Sequence, residues 1–535
     1  MPASPRVRIR SLFRSSGAAA LLATAALALS ACGGGGGGMA SPAPTPPVLP
    51  PPSNGNQSYA DPVVYSTSAA ASLASAEEHA AITHHQITLN GSTIDYTATA
   101  GHLTASNPTT GVPEASFFYV AYTRDNQSAA TRPVTFFYNG GPGSAAVWLH
   151  MGSFAPKRLV TGDPNATVVN TFPLVDNQET LLDITDLVFI DAIGTGYSEA
   201  IDPNTNQTFW GVDQDAATFR DFIVRYLTVN GRMQSPKFLF GESYGTTRSA
   251  VLANLMETAG ISLKGVVLQS SILNYNSNCA VINVQISCTS YLPSYSATAA
   301  FFNLATPAPT DLTAFEAQVR AFTTGTFEPA EQTFLSGGPL PAASVLNQLQ
   351  AFSGIPASLW QADFNFDPGS FQRTLLGSSN LLLGRYDARV TATNGTFLAS
   401  EGDPSSTFLT TPFANGANTL FFNFLQYGNA SAYVLLSNAI NTWNFGHDGH
   451  PLPDTIPDLS AALTQNPNLK IMSVNGYNDL ATPFYQTQLD LGRLGAQPNI
   501  RVTFYSGGHM TYLDDTSRPL ERADLGAFYQ SALAQ

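Results

Sequence analysis

Cysteine is scarce: the chain of 535 residues has 3. Neither Cys279 nor Cys288 sits in a motif that would make it a nucleophile, so thiol catalysis is not indicated. Basic residues are few as well, 23 Lys and Arg against 37 Asp and Glu, for a net charge of -14. No basic patch stands out beyond the N-terminus, which argues against nucleic acid as a partner. No internal repeat is present, which excludes a solenoid. His447-Asp448-Gly449-His450 has no accompanying ligand cluster, so no metal and no cofactor is expected. That stretch reads as a solvated loop or a contact in a substrate cleft. What the chain does have is length, with 44% hydrophobic and 11% charged residues. That suits one large domain with an insertion, or two domains.

The N-terminus carries an address. Arg6, Arg8, Arg10 and Arg14 form a positive region, followed by an apolar stretch over residues 17–29. The stretch is too short to span a bilayer as a mature helix. It ends in Leu29-Ser30-Ala31-Cys32, which resembles the lipobox of bacterial lipoproteins. The resemblance implies that residues 1–32 are a signal peptide and that Cys32 is lipidated and becomes the mature N-terminus. An ordinary secretory signal is the alternative. Residues 33–58, glycine-rich and then proline-rich, read as a spacer that cannot bury a core. The expected location is the cell envelope, lipid-anchored to a membrane, with the body in the periplasm or at the cell surface. Gly33 stands where many inner-membrane lipoproteins have Asp, which favours the outer membrane. Export permits disulfides, and the closeness of Cys279 and Cys288 suggests a small loop staple, with two free thiols as the alternative.

Short apolar runs alternate with helical patterns, which indicates an α/β sheet. Asn90-Gly91 between Gln86-Ile87-Thr88-Leu89 and Ser92-Thr93-Ile94-Asp95-Tyr96 signals a hairpin. Further strands are expected over 116–122, 133–138, 187–191, 237–240, 264–268, 469–474 and 500–505. Helices are expected over 71–82, 213–229, 246–256 and 519–533. From 290 to 432 the pattern loosens and reads as a largely helical cap. It would separate a first core part, 59–289, from a second, 433–535.

Gly241-Glu242-Ser243-Tyr244-Gly245 follows the apolar run Lys237-Phe238-Leu239-Phe240 and precedes a helical stretch. Strand, tight turn and helix make this G-x-S-x-G a nucleophile elbow, with Ser243 projecting above the sheet end. A serine nucleophile needs a base and an orienting acid. In this architecture both follow the serine in the chain, which leaves His447, His450 and His509. His509 lies in Ser506-Gly507-Gly508-His509-Met510, directly after a strand, and is the expected base. Asp479, in Asn475-Gly476-Tyr477-Asn478-Asp479 after another strand, is the expected acid, with Asp490 a weaker candidate. Asn139-Gly140-Gly141-Pro142-Gly143 resembles in position the glycine loop that supplies an oxyanion donor in lipases and esterases. Gly141 N–H and Tyr244 N–H are the expected pair of donors.

Together, Asn139-Gly140-Gly141-Pro142-Gly143-Ser144, Asp191-Ala192-Ile193-Gly194-Thr195-Gly196-Tyr197-Ser198, the elbow, and the settings of Asp479 and His509 resemble the serine carboxypeptidases. The resemblance runs from about residue 116 to the C-terminus. It implies an α/β-hydrolase fold with a central mixed, mostly parallel sheet and a helical cap. It implies release of C-terminal residues from peptides through a triad of Ser243, Asp479 and His509, favoured at acidic pH. Asn139, Gly140 and Glu242 would bind substrate, with Asn139 and a protonated Glu242 bonding its terminal carboxylate. The eukaryotic pattern supplies a second carboxyl in Glu-Leu-Gly-Pro, where this chain has Ser153-Phe154-Ala155-Pro156. Without it, Glu242 is expected to ionise more readily, and the pH optimum to be less acidic than in two-carboxyl enzymes. Two other readings stand: an esterase or acyltransferase on the same triad, and a non-catalytic envelope binding protein. Oligomeric state is not legible in the sequence.

Overall fold

A computed structural model describes residues 55–281 and 286–534. The expected signal peptide, Cys32 and most of the spacer lie outside these residues. The centre is a ten-stranded sheet. Its strands are β1 (Ala80–Leu89), β2 (Ser92–Ser106), β3 (Pro113–Arg124), β4 (Val134–Tyr138), β5 (Asp186–Ile190), β6 (Glu199–Ala200), β7 (Lys237–Glu242), β8 (Gly265–Gln269), β9 (Lys470–Gly476) and β10 (Ile500–Tyr505). The spatial order is β10-β9-β8-β7-β4-β5-β3-β2-β1, with β6 paired to β3. Neighbours from β10 to β5 are parallel. From β5 to β1 they are antiparallel.

The parallel strands are apolar runs because both faces are covered. Phe238, Leu239 and Phe240 of β7 and Val266, Val267 and Leu268 of β8 are all buried. At the antiparallel end, Asn90 and Gly91 adopt φ of 49° and 79°. Positive φ at both central residues is what a tight I′ hairpin turn needs. The β1–β2 ladder grows out from Leu89 and Ser92 and runs much longer than the expected strands.

The helix expected over 71–82 does not form. Residues 71–79 hold no helix, and 80–82 open β1. Leu73 N–H donates to Ala200 O and Leu73 O accepts from Asp202 N–H, both at 2.8 Å, so this segment lies along β6. Edge pairing outweighs the helix preference of alanine.

Helices α1 (Val147–Gly152), α2 (Val212–Val229) and α3 (Tyr244–Thr258) follow the strands that precede them. Between β8 and β9 run α4 (Leu292–Phe301), α5 (Leu312–Phe322), α6 (Glu328–Leu335), α7 (Ala343–Ser353), α8 (Ala357–Ala362), α9 (Pro368–Thr374), α10 (Pro404–Thr419) and α11 (Ile456–Gln465). After β9 come α12 (Phe484–Gly492) and α13 (Ser517–Leu533). One face of the sheet packs on α2, α3 and α11 through Phe219, Leu252 and Leu459. The other packs on α1, α10 and α13 through Leu149, Phe413 and Tyr529. Helices from α4 to α9 bury a cluster of their own around Tyr295, Phe352, Trp360 and Phe371. Cys279 and Cys288 are disulfide-bonded and belong to that cluster, at the point where the chain enters this insertion. Two short strands in the insertion, Leu381–Leu383 and Thr391–Thr393, pair antiparallel and present the turn 384–390 between them. Among the described residues no helix is long and apolar enough to cross a membrane.

His447 is neither in a solvated loop nor in the cleft described below. It is buried between the starts of α2 and α11. Its Nδ1 lies 2.6 Å from Asp213 Oδ1 and its Nε2 lies 2.9 Å from Asp458 Oδ2. The bond to Asp458 and then that to Asp213, working against burial, push its pKa up to about 9. His447, Asp448 and Asp458 bring ligand atoms within 4.8 Å of one another. Both ring nitrogens nevertheless already face carboxylates, so the imidazolium itself is the cation of this cluster. A histidine raised in the folded state stabilises fully below its unfolded pKa of about 6.5, and that stabilisation is lost as pH rises through the folded value. The thermal midpoint should therefore decline as pH rises from about 6.5 to about 9. His447→Gln should unfold earlier at the low end and lack this component of the slope; parallel slopes in the two proteins would refute the assignment.

Candidate active site

β7 ends at Glu242 and α3 begins at Tyr244, leaving Ser243 alone in the turn between them. Its φ is 60° and ψ -128°, a strained conformation for a residue with a side chain. Ser243 N–H donates to Gln269 O of β8 (2.9 Å), and Ser243 O accepts from Thr246 N–H (2.8 Å). Strand and helix thus over-determine the strained turn. A Cβ on Gly241 would lie 2.2 Å from Gly245 O, so the elbow closes only around glycine.

β9 and β10 end side by side and release the two loops that carry Asp479 and His509. His509 Nδ1 lies 2.8 Å from Asp479 Oδ2. Asp479 Oδ1 accepts from the N–H groups of Ala481 (2.7 Å) and Thr482 (2.9 Å), and Oδ2 from the Thr482 hydroxyl (2.7 Å). Burial alone would lower the His509 pKa, but the charge and hydrogen bond of Asp479 outweigh it and the net shift is upward. With Nδ1 engaged, Nε2 is the nitrogen left for the cleft, which His509 and Ser243 both line. Asp490 lies in α12, where it accepts from Gln486 Nε2 (2.9 Å) and the Ser277 hydroxyl (3.4 Å). His509 pairs with Asp479 instead.

The insertion reaches this pair through the turn 384–390. His509 N–H donates to Tyr386 O (2.6 Å), Leu480 N–H to Arg385 O (3.1 Å) and Ala388 N–H to Asn478 O (3.0 Å). Acid loop and base loop are therefore both tied to one piece of backbone from outside the sheet.

The glycine loop follows β4, the neighbour of β7. A Cβ on Gly140 would come within 2.4 Å of Tyr244 N, so the loop abuts the start of α3 as only glycine allows. Arg248 of α3 fixes this contact: it pairs with Asp215 Oδ2 through Nε (2.7 Å) and donates from Nη1 to Asn139 O (2.8 Å). At the far end of the loop, Asp191 Oδ1 accepts from Ala146 N–H (2.8 Å) and the Tyr433 hydroxyl (2.9 Å).

Glu242 sits beside the serine and is buried. Its Oε1 accepts from Asn139 Nδ2 (2.8 Å) and its Oε2 from the Tyr512 hydroxyl (2.5 Å). Burial pushes its pKa up to about 7, against the lowering effect of His509, Tyr512 and Asn139. No paired carboxyl is needed, because loss of water disfavours the anion by itself. Glu521, on α13, is a second buried carboxyl in the neighbourhood. It accepts from the Thr511 hydroxyl (2.6 Å) and is pushed up to about 8, chiefly by burial and in part by the charge of Glu242.

Thr482, Arg248, Tyr386 and Tyr512 were not legible as site residues. Arg248 carries a faint signal, a lone arginine in the first half of a helix whose neighbours there are small and apolar. Each of the others touches the site through a contact that no local pattern encodes.

The model of the serine carboxypeptidase family matches residues 90–293, which hold the glycine loop, Asp191 and the elbow. No curated protein matches the chain in sequence. Among solved structures, the prohormone-processing carboxypeptidase Kex1 from Saccharomyces cerevisiae is similar at a TM-score of 0.51. It shares 15% identity, over 81% of this chain and 91% of its own. A proline iminopeptidase from Mycobacterium smegmatis matches at a TM-score of 0.33 and 15% identity, over 84% of this chain and 99% of its own. The Kex1 likeness, together with the sheet order, shows the α/β-hydrolase fold. The family match covers the elbow and the glycine loop, so over residues 90–293 the chain is similar to the serine carboxypeptidases, and the fold around that stretch is that of the α/β-hydrolases.

Proposed function

We propose that this enzyme removes single residues from peptide C-termini through an acyl-enzyme on Ser243. Ser243 Oγ bonds to the scissile carbonyl carbon and passes its proton to His509 Nε2, which hands it to the departing amino group. Water then takes the place of the amine and repeats the transfer in reverse. Asp479 holds the imidazole by Nδ1 and balances its transient charge. Gly141 N–H and Tyr244 N–H receive the developing oxyanion, a role supported by the close packing of the glycine loop on the start of α3.

The observation that carries this reading is the Asn139–Glu242 pair, which lines the same cleft as Ser243. A carboxyl that stays neutral up to about pH 7 donates a hydrogen bond to a substrate carboxylate without adding like charge. Asn139 adds amide donors beside it. A second reading, esterase or acyltransferase on the same residues, is favoured by Glu242 having a phenol, Tyr512, as its partner and being the one carboxyl among the described residues that line the cleft. We further propose that the protein is exported and lipid-anchored through Cys32. The n-region, the apolar stretch and the Leu29-Ser30-Ala31-Cys32 pattern support this, and the Cys279–Cys288 disulfide suits an oxidising compartment. Residues 290–432 serve in this reading as the cap over the core.

The test compares N-blocked dipeptides having a free C-terminus with the same peptides as amides, and with a small activated ester. Free acids should be cleaved well above amides, and Ser243→Ala should lose both peptide and ester turnover. Ester turnover with neither peptide cleaved establishes the second reading instead. The pH dependence follows from the two buried groups. His509 must be neutral to act as base, which sets the acid limb above the ordinary histidine value. Ionisation of Glu242 removes the donor, so KM for free-acid peptides should rise above about pH 7 while ester KM stays flat. Tyr512 favours the Glu242 anion, so Tyr512→Phe should move that rise to higher pH. A KM limb shared by ester and peptide would refute the role of Glu242.

A further inference from the structure

The cleft contains an apolar wall that the chemistry above does not use. Trp148, Leu409, Leu436 and Met510 line it together with Ser243 and Glu242. Among the described lining residues there is no lysine or arginine, and Glu242 is the only carboxyl. Glu242 is already bonded to Asn139 and Tyr512, so it offers no free counter-charge to a basic side chain.

The wall is held in place. Trp148 Nε1 donates to Ser144 Oγ (2.9 Å), and the indole packs on Phe413 of α10 at 4.8 Å between centroids. Leu409 comes from the same helix one turn earlier and is packed into the core. Leu436 is 37% exposed and bridges to Ser144, so it stands at the rim.

A peptide bound for release of its last residue has little freedom here. Its scissile carbonyl lies at Ser243 and its carboxylate at Asn139 and Glu242. The Cα of the terminal residue spans the short gap between them, so its side chain must leave toward the remaining walls. A charge buried there finds no partner, whereas an apolar side chain is removed from water. This argument rests on the carboxypeptidase reading and deepens it. We infer that the enzyme selects peptides ending in a bulky apolar residue, and that Trp148, Leu409 and Leu436 set this preference.

The test uses N-blocked dipeptides with one constant penultimate residue and leucine, phenylalanine, lysine or aspartate at the C-terminus, beside the activated ester. In the wild type, kcat/KM for leucine and phenylalanine should exceed that for lysine and aspartate by about tenfold or more. Leu436→Asp sets a carboxylate at the rim and should raise the lysine-to-leucine ratio at least about fivefold, within the discrimination one pocket contact supplies. Ser406→Asp, half-buried on the same cleft, gives an independent second variant, and a ratio within each protein is insensitive to the fraction folded. Equal kcat/KM across the four peptides, or a ratio unmoved in both variants, overturns the inference while leaving the carboxypeptidase reading intact. Ester turnover with none of the peptides cleaved overturns both.

Discussion

Three buried carboxylates, Asp163, Asp387 and Asp514, share the charge of one guanidinium, that of Arg389. Arg389 Nη2 lies 2.6 Å from Asp387 Oδ2 and 3.2 Å from Asp163 Oδ2, and Nη1 lies 3.5 Å from Asp514 Oδ1. The three come from distant parts of the chain. Asp514 also accepts from Ser517 N–H (3.0 Å) at the start of α13, and Asp387 lies in the turn of the insertion. Burial first, then the neighbouring Asp387, push the pKa of Asp163 well above its ordinary value, against the charge of Arg389. A buried charge stranded by loss of its partner costs about 3–5 kcal/mol. That scale explains how a surface excursion of the chain can hold the acid and base loops in register. The turn fixed by Arg389 is the one that receives His509 N–H and Leu480 N–H.

The two titrating groups of the cleft are poised by one force with opposite results. Burial disfavours charge on both. For Glu242 the charge of His509 and two neutral donors, a phenol and an amide, oppose burial without cancelling it, and its pKa stays high. His509 is answered by a full carboxylate, which reverses the effect of burial and raises it. The partners met at the same depth, more than depth itself, set how far each of these two groups departs from its ordinary value.

Much of the scheme could be read from the chain because it lies in short motifs at strand ends. The elbow, the glycine loop and the positions of Asp479 and His509 each follow an apolar run, and the parallel sheet gathers those ends on one edge. The hairpin at Asn90-Gly91 was legible for the same local reason. What could not be read depends on contacts made far along the chain. Residues 71–79 carry a helix-like composition but lie along β6. Tyr512 reaches Glu242 across a separation of 270 residues, and no local pattern announces that meeting. The rise in the Glu242 pKa is not legible either, because burial is a property of the whole packing. The helices from α4 to α9 pack mainly on one another, so the periodicity that marks a helix against the sheet is blurred there.

The turn 384–390 has a consequence for traffic through the cleft. It lies between the loops of Asp479 and His509, with backbone hydrogen bonds to both and with Arg389 locked behind it. An insertion fastened in this way cannot swing open as a rigid lid without parting His509 N–H from Tyr386 O. Leu436 and Trp148 form the rim of the cleft that this roof leaves open.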